Sequence, residues 1–183
     1  MNPIVRRVPW SICLSVLCLF LSFTAVAADL TALYSRAQLF SDAEFHPNVT
    51  IDAYHPEARP GLGADETDRE FTLRFQKGAD GKVELGYIEE TVVYQNGQVR
   101  IGLILNHERR LRKAVVLAVT PDLVDTFLGI TKKGLITRYT MTSVRQLKYL
   151  YKVQKDKAPE VVFLAREVWV LGEELQHKLF SPD

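Results

Sequence analysis

Residues 70–105, EFTLRFQKGADGKVELGYIEETVVYQNGQVRIGLIL, decide the fold. Phe71, Leu73 and Phe75 alternate with Thr72, Arg74 and Gln76, which is the period of a half-buried strand. Gly78-Ala79-Asp80-Gly81 reads as a turn, and Val83, Leu85 and Tyr87 line one face of the next strand. Asn96-Gly97 signals a two-residue hairpin, because a type I′ turn needs positive φ at both central positions. Val99, Ile101, Leu103 and Leu105 form the apolar face of the return strand. Three consecutive strands therefore make an antiparallel meander.

The hairpin implies a register. A turn at Asn96-Gly97 pairs Tyr94 with Val99, Val92 with Ile101 and Glu90 with Leu103. The apolar set is then even-numbered near the turn but odd-numbered at Val83, Leu85 and Tyr87. This predicts one extra residue absorbed as a β-bulge at Ile88–Glu90, or a strand long enough to change sheets. Without the bulge, Glu90 lies on the apolar face, where a carboxylate must be paired or protonated. Glu90 would then be the acid/base candidate of the chain.

Outward from the meander, Asp29–Asp42 reads as an amphipathic helix with Asp29 as N-cap. Asn48–Tyr54 reads as a strand, and HPEARPGLGADETD, residues 55–68, as the longest loop. Asn106–Lys113, NHERRLRK, is a basic connection to a strand over Ala114–Thr120. Thr120-Pro121-Asp122 starts a short helix, Pro121–Leu128, capped by Gly129. Leu135–Thr142 reads as a strand, Val144–Gln154 as a second long helix, and the apolar, β-branched Glu160–Leu171 as a strand. Gly172–Phe180 reads either as its hairpin partner or as a short terminal helix. These elements predict an α+β fold: an antiparallel meander with the N-terminal helix and the second long helix packed on one face.

The chain begins with an address. Arg6 and Arg7 precede the uncharged run Ser11–Phe23, and Ala25-Val26-Ala27 fits a small-x-small cleavage site. This is the pattern of a secretory signal peptide, too short for a membrane span. Cleavage is expected after Ala27 or Ala28, leaving residues 28–183 as a single periplasmic or secreted domain with no transmembrane segment. Cys13 and Cys18 both fall in the signal, so residues 28–183 contain no cysteine. That excludes disulfides, thiol nucleophiles and cysteine metal sites in the domain. Asn48-Val49-Thr50 is a glycosylation sequon only in a eukaryotic secretory pathway.

Charge divides unevenly along the domain. Residues 28–96 carry 13 acids and 6 bases, net −7, whereas residues 107–157 carry 12 bases and 4 acids, net +8. Arg109, Arg110, Arg112 and Lys113 cluster in the basic connection. Arg145, Lys148, Lys152 and Lys155 form one stripe on the second long helix. Together they are candidates for binding an anionic envelope component or an acidic protein. The alternative is that the two halves neutralise each other within the fold. Nucleic acid is not expected, since residues 28–183 carry a net charge of −1.

Catalytic signals are sparse. His46, His55, His107 and His177 stand at no metal-ligand spacing, although His46, His55 and Asp52 could converge if the short strand curled. Gly61-Leu62-Gly63 precedes no helix that could hold a phosphate. No metal and no cofactor is predicted. The function expected is a non-catalytic envelope accessory or binding protein with a basic surface. The alternatives are a carrier of a lipid or other apolar ligand and a small hydrolase without a recognisable motif.

Overall fold

The computed structural model describes residues 29–54, 71–132, 139–154 and 156–180. Within them lie the strands β1 (Thr31–Ala32), β2 (Val49–Tyr54), β3 (Phe71–Lys77), β4 (Val83–Tyr94), β5 (Gly97–Asn106) and β6 (Leu111–Val119). The helices are α1 (Arg36–Asp42), α2 (Val124–Lys132), α3 (Val144–Val153) and α4 (Pro159–Phe180). All strands pair antiparallel in the order β1-β6-β5-β4-β3-β2. The class is α+β with an antiparallel meander, as the sequence predicts. The signal segment, the 55–68 loop and residues 133–138 lie outside the described residues. Residues 139–142 form a turn rather than the end of a strand.

The expected bulge at Ile88–Glu90 is absent. β4 pairs with β5 without interruption from Leu85↔Asn106 to Tyr94↔Gly97. The turn residues are Gln95 and Asn96, one position earlier than expected, and Gln95 takes the left-handed conformation with φ 52°. The register therefore slips by two, which keeps every side chain on its expected face of β5 but leaves Glu90 opposite Ile101. The switch from odd to even apolar positions has another cause: both faces of β4 are covered. Tyr87 packs edge-on against Phe40 of α1 with centroids 4.9 Å apart, whereas Ile88 and Val92 join the core under α2, α3 and α4. Gly97 does not need positive φ. It is small because a Cβ there would collide with Thr120 Oγ1 and lie 2.7 Å from Leu123 Cδ1.

The two helices expected on one face sit on opposite faces. Leu39, Ala43 and Phe45 cluster with Tyr87, Ile104, Val115 and Leu117 on one side of the sheet. Val144 and Leu147 of α3 join Ile101, Leu103 and Leu105 on the other. The first helix is also shorter than expected. Leu33 and Tyr34 donate their backbone N–H groups to the Leu117 carbonyl at 2.8 and 3.1 Å, so residues 31–34 extend the sheet edge. Ser35, not Asp29, caps α1 by accepting from the Gln38 N–H at 3.0 Å.

The segment expected as a strand, Glu160–Leu171, is helical, and it belongs with 172–180 to the 22-residue α4. Its apolar character comes from burial on two sides. Against the sheet, a Cβ on Gly86 would lie 2.6 Å from Leu179 Cδ1. Against α3, Trp169 stacks on Tyr151 with centroids 5.6 Å apart, and a Cβ on Gly172 would lie 3.5 Å from Leu147 Cδ1. Pro159 stands at the helix start, where its missing N–H is harmless. After β6, a 3-10 turn at Pro121–Leu123 leads into α2, which runs through Gly129 instead of ending there. The Thr120 hydroxyl accepts from the Gln98 N–H at 3.3 Å and does not cap the helix.

Candidate binding surface

α3 begins with a capping box. The Gln146 N–H donates to Ser143 Oγ at 3.3 Å, and the Ser143 N–H donates to Gln146 Oε1 at 3.0 Å. Val144 and Leu147 are buried beneath it. Arg145, Tyr149 and Lys152 recur at i, i+4 and i+7 on the opposite, outward side. Tyr149 is 66 % exposed, Val153 52 % and Met141, just before the helix, 45 %. No acidic residue occurs between Asp125 and Asp156, so nothing on α3 itself opposes these cations. Lys148 occupies the flank facing α4, with Nζ 4.8 Å over the Trp169 ring and 3.9 Å from Glu173 Oε1.

The β5–β6 turn is tied to the start of α3. The Val144 N–H donates to the Arg109 carbonyl at 3.3 Å, and the Leu111 N–H donates to the Thr142 carbonyl at 2.9 Å. Arg110 forms an isolated bridge with Ser143, and its Nη1 donates to the Met141 carbonyl at 3.2 Å. Two non-glycine residues, Arg109 (φ 61°) and Met141 (φ 65°), adopt the left-handed conformation at this corner. The fold thus brings Arg109 and Arg110 to the N-terminus of α3, one or two residues from Arg145 along the chain, although the two segments are far apart in sequence. Arg109 Nη2 also donates to the Phe180 carbonyl at 2.9 Å, and Arg110 Nε lies 3.3 Å from Glu108 Oε2.

The other predicted cations do not share this surface. Lys113 faces α1 across the sheet, ion-paired with Asp42 and 5.4 Å over the Tyr34 ring. This contact joins the acidic and basic halves, and Tyr34 donates to the same carboxylate. Hydrogen bonds from Lys113 and Tyr34 hold the Asp42 carboxyl below its ordinary range. Arg112 is the extra residue of a bulge between Leu111↔Leu105 and Lys113↔Ile104 and is half-buried. Lys155 lies outside the described residues.

A carboxylate network on the α1 side escaped the sequence reading. Glu89 accepts from Arg36 Nε and Nη2, both at 2.8 Å, and from the Tyr87 hydroxyl, with Arg100 Nε 3.7 Å away. Burial first, then the neighbouring Glu89 charge, pushes the Tyr87 hydroxyl far above the ordinary phenol range, so it stays protonated and donates to Glu89. On the other face, Glu90 and Glu167 are 1 % exposed and Glu174 is 7 % exposed. The i, i+4, i+7 spacing of Glu167, Leu171 and Glu174 could have revealed the last two, had the segment been read as helical. Among the described residues no group of three or more His, Cys, Asp or Glu could hold a metal ion. His46, His107 and His177 are all exposed, and His55 lies outside the described residues. The Asn48 amide spends its nitrogen on the Lys77 carbonyl at 3.0 Å and accepts from the Lys77 N–H at 2.9 Å, locking the sequon side chain to β3.

No helix among the described residues is long and apolar enough to cross a membrane. No family model matches the chain, and no curated protein or solved structure matches it.

Proposed function

We propose that the chain is an exported, non-catalytic envelope binding protein that offers the outer face of α3 to an anionic partner. The observation that carries this reading is the pattern on that face. Arg145 and Lys152 stand outward around an exposed tyrosine, on a helix with no acid of its own. Arg109 and Arg110 add charge at its N-terminal corner. The carrier alternative draws no support from the helix side of the sheet, where Val99, Ile101, Leu103, Leu105, Phe127 and Leu171 are all 0 % exposed. The hydrolase alternative keeps Glu90, which without the bulge lies buried on the apolar face as its acid/base candidate, but all the described histidines are exposed and none is buried with it.

Export is tested by N-terminal sequencing of the expressed protein, which should begin at Ala28 or Asp29. An intact Met1 in the envelope fraction would contradict it. Binding is tested by titration against phosphatidylglycerol vesicles and polyglutamate. Wild type should bind at least one of them at low salt and release it as salt rises, because screening shortens to ~8 Å near physiological ionic strength. The double variant Arg145→Glu/Lys152→Glu, which reverses the two outward cations of α3, should lose that binding. If wild type binds neither probe at low salt, the reading is wrong.

A further inference from the structure

Charge alone does not account for the outer face of α3. Surface lysines and arginines are ordinarily interleaved with acids and other polar groups. Here the residue between Arg145 and Lys152 on the outward line is Tyr149, 66 % exposed, and the residue beside it one turn on is Val153, 52 % exposed. Met141, 45 % exposed, stands two residues before the N-cap Ser143, and its carbonyl accepts from Arg110 Nη1. Three of the four large apolar side chains that stand out most on the described surface therefore gather at one helix, and the same helix carries the outward cations.

Resting on the reading above, the geometry points to one partner class: the interface of an anionic phospholipid bilayer, with α3 lying in its plane. An amphipathic tyrosine surrounded by cations matches the headgroup layer. Its ring reaches the acyl boundary while its hydroxyl and the adjacent ammonium and guanidinium groups stay among phosphates. Cations near such a surface are attracted one by one, and the attraction decays within a Debye length. An acidic protein would satisfy the charges but would leave Tyr149 and Val153 without a hydrocarbon-facing role. The inner side of α3, Val144 and Leu147, stays committed to the core, so docking needs no refolding.

The test separates lipid from charge. Co-sedimentation is measured with vesicles of phosphatidylcholine alone and with an equal mixture of phosphatidylglycerol and phosphatidylcholine, alongside polyglutamate. Wild type and variants carry the same N-terminus, so residues 1–27 contribute equally to each. Tyr149→Ser/Val153→Ser should weaken binding to mixed vesicles about tenfold, the change that partial burial of one aromatic and one aliphatic side chain implies. It should leave any polyglutamate binding unchanged. In a separate Tyr149→Trp variant, the introduced indole should be quenched by lipids brominated near the headgroup end of the chain, beyond the background that Trp169, and Trp10 where the N-terminus is retained, give in the wild type. If mixed vesicles bind wild type and the serine variant equally and the introduced indole is not quenched, the bilayer assignment is wrong and only the charge reading survives. Binding to polyglutamate without binding to vesicles overturns it in the same way. If neither probe binds, both fall together.

Discussion

On the α1 side of the sheet the cations turn inward onto carboxylates; on the outer side of α3 they turn to water. Arg36 and Lys113 each meet an acid at hydrogen-bond distance and pin a seven-residue helix to the sheet. A helix that short has little stability of its own, so polar ties must supplement a small apolar cluster. α3 needs no such ties. Its capping box and two buried side chains hold it against α4, and α4 in turn fills the broad core on that face. Lys148 leans onto Trp169 and Glu173 of α4, but the outward Arg145 and Lys152 are left to solvent. The comparison shows why counting bases along the chain is a poor guide: Lys113 and Arg145 belong to the same basic half but serve different ends.

The contrast can be broken most forcefully from the α4 side. Leu171→Ala, at a fully buried position, should cost about 3–5 kcal/mol in denaturant unfolding. A loss under ~1 kcal/mol would mean that α4 is not the central support. On the α1 side, Glu89→Ala removes the shared acceptor of Arg36 and Tyr87. It should cost about 2–3 kcal/mol, below the ~3–5 kcal/mol of a fully buried pair, because Arg36 and Arg100 remain 43 % and 41 % exposed. Unchanged stability would show that the network is ornamental.

The α1 side should also depend on pH in a defined sense. Asp42 is held below its unfolded value, so its contribution is full above the ordinary carboxylate range near ~4 and is lost as pH falls through the folded value. Lys113, although burial alone would lower it, is raised by its bonds to Asp42 and Tyr34. Its contribution is full below the ordinary ammonium range and is lost as pH rises through the folded value. The melting-temperature advantage of wild type over Asp42→Asn should therefore be present at neutral pH and vanish on acidification. An advantage that persists below both carboxylate values would contradict the assignment. The smallest effect is expected on α3. Arg145→Glu/Lys152→Glu, at two exposed positions, should change stability by no more than ~0.5 kcal/mol. Unfolding of that variant would make the stripe structural.

The meander was legible because β3 alternates and because Gly78–Gly81 and Gln95–Gly97 interrupt the runs. α3 was legible because only one side of it is buried. What misled the reading is double coverage. β4 is packed by α1 on one face and α4 on the other, so its apolar parity changes without any bulge. α4 lies between sheet and α3, so Val161-Val162 and Val168-Trp169-Val170 resemble a buried strand, although Leu164, Val168, Leu171 and Leu175 keep helical spacing. The stripe on α3 was visible at the right spacing. The separate Arg109–Lys113 cluster does not act as one unit with it, because β6 begins at Leu111 and a strand sends alternate residues to opposite faces, so Lys113 turns to Asp42. The joining of Arg109 and Arg110 to α3 rests on backbone bonds between distant segments, which no local pattern records.

The most direct test of the α3 assignment is the hydrogen–deuterium exchange footprint of wild type on mixed phosphatidylglycerol/phosphatidylcholine vesicles. The account predicts added protection confined to residues 141–153 and the Asn106–Arg110 turn, with α1 and β2 unchanged. Protection centred on α1, or spread evenly over the domain with none on α3, would contradict it.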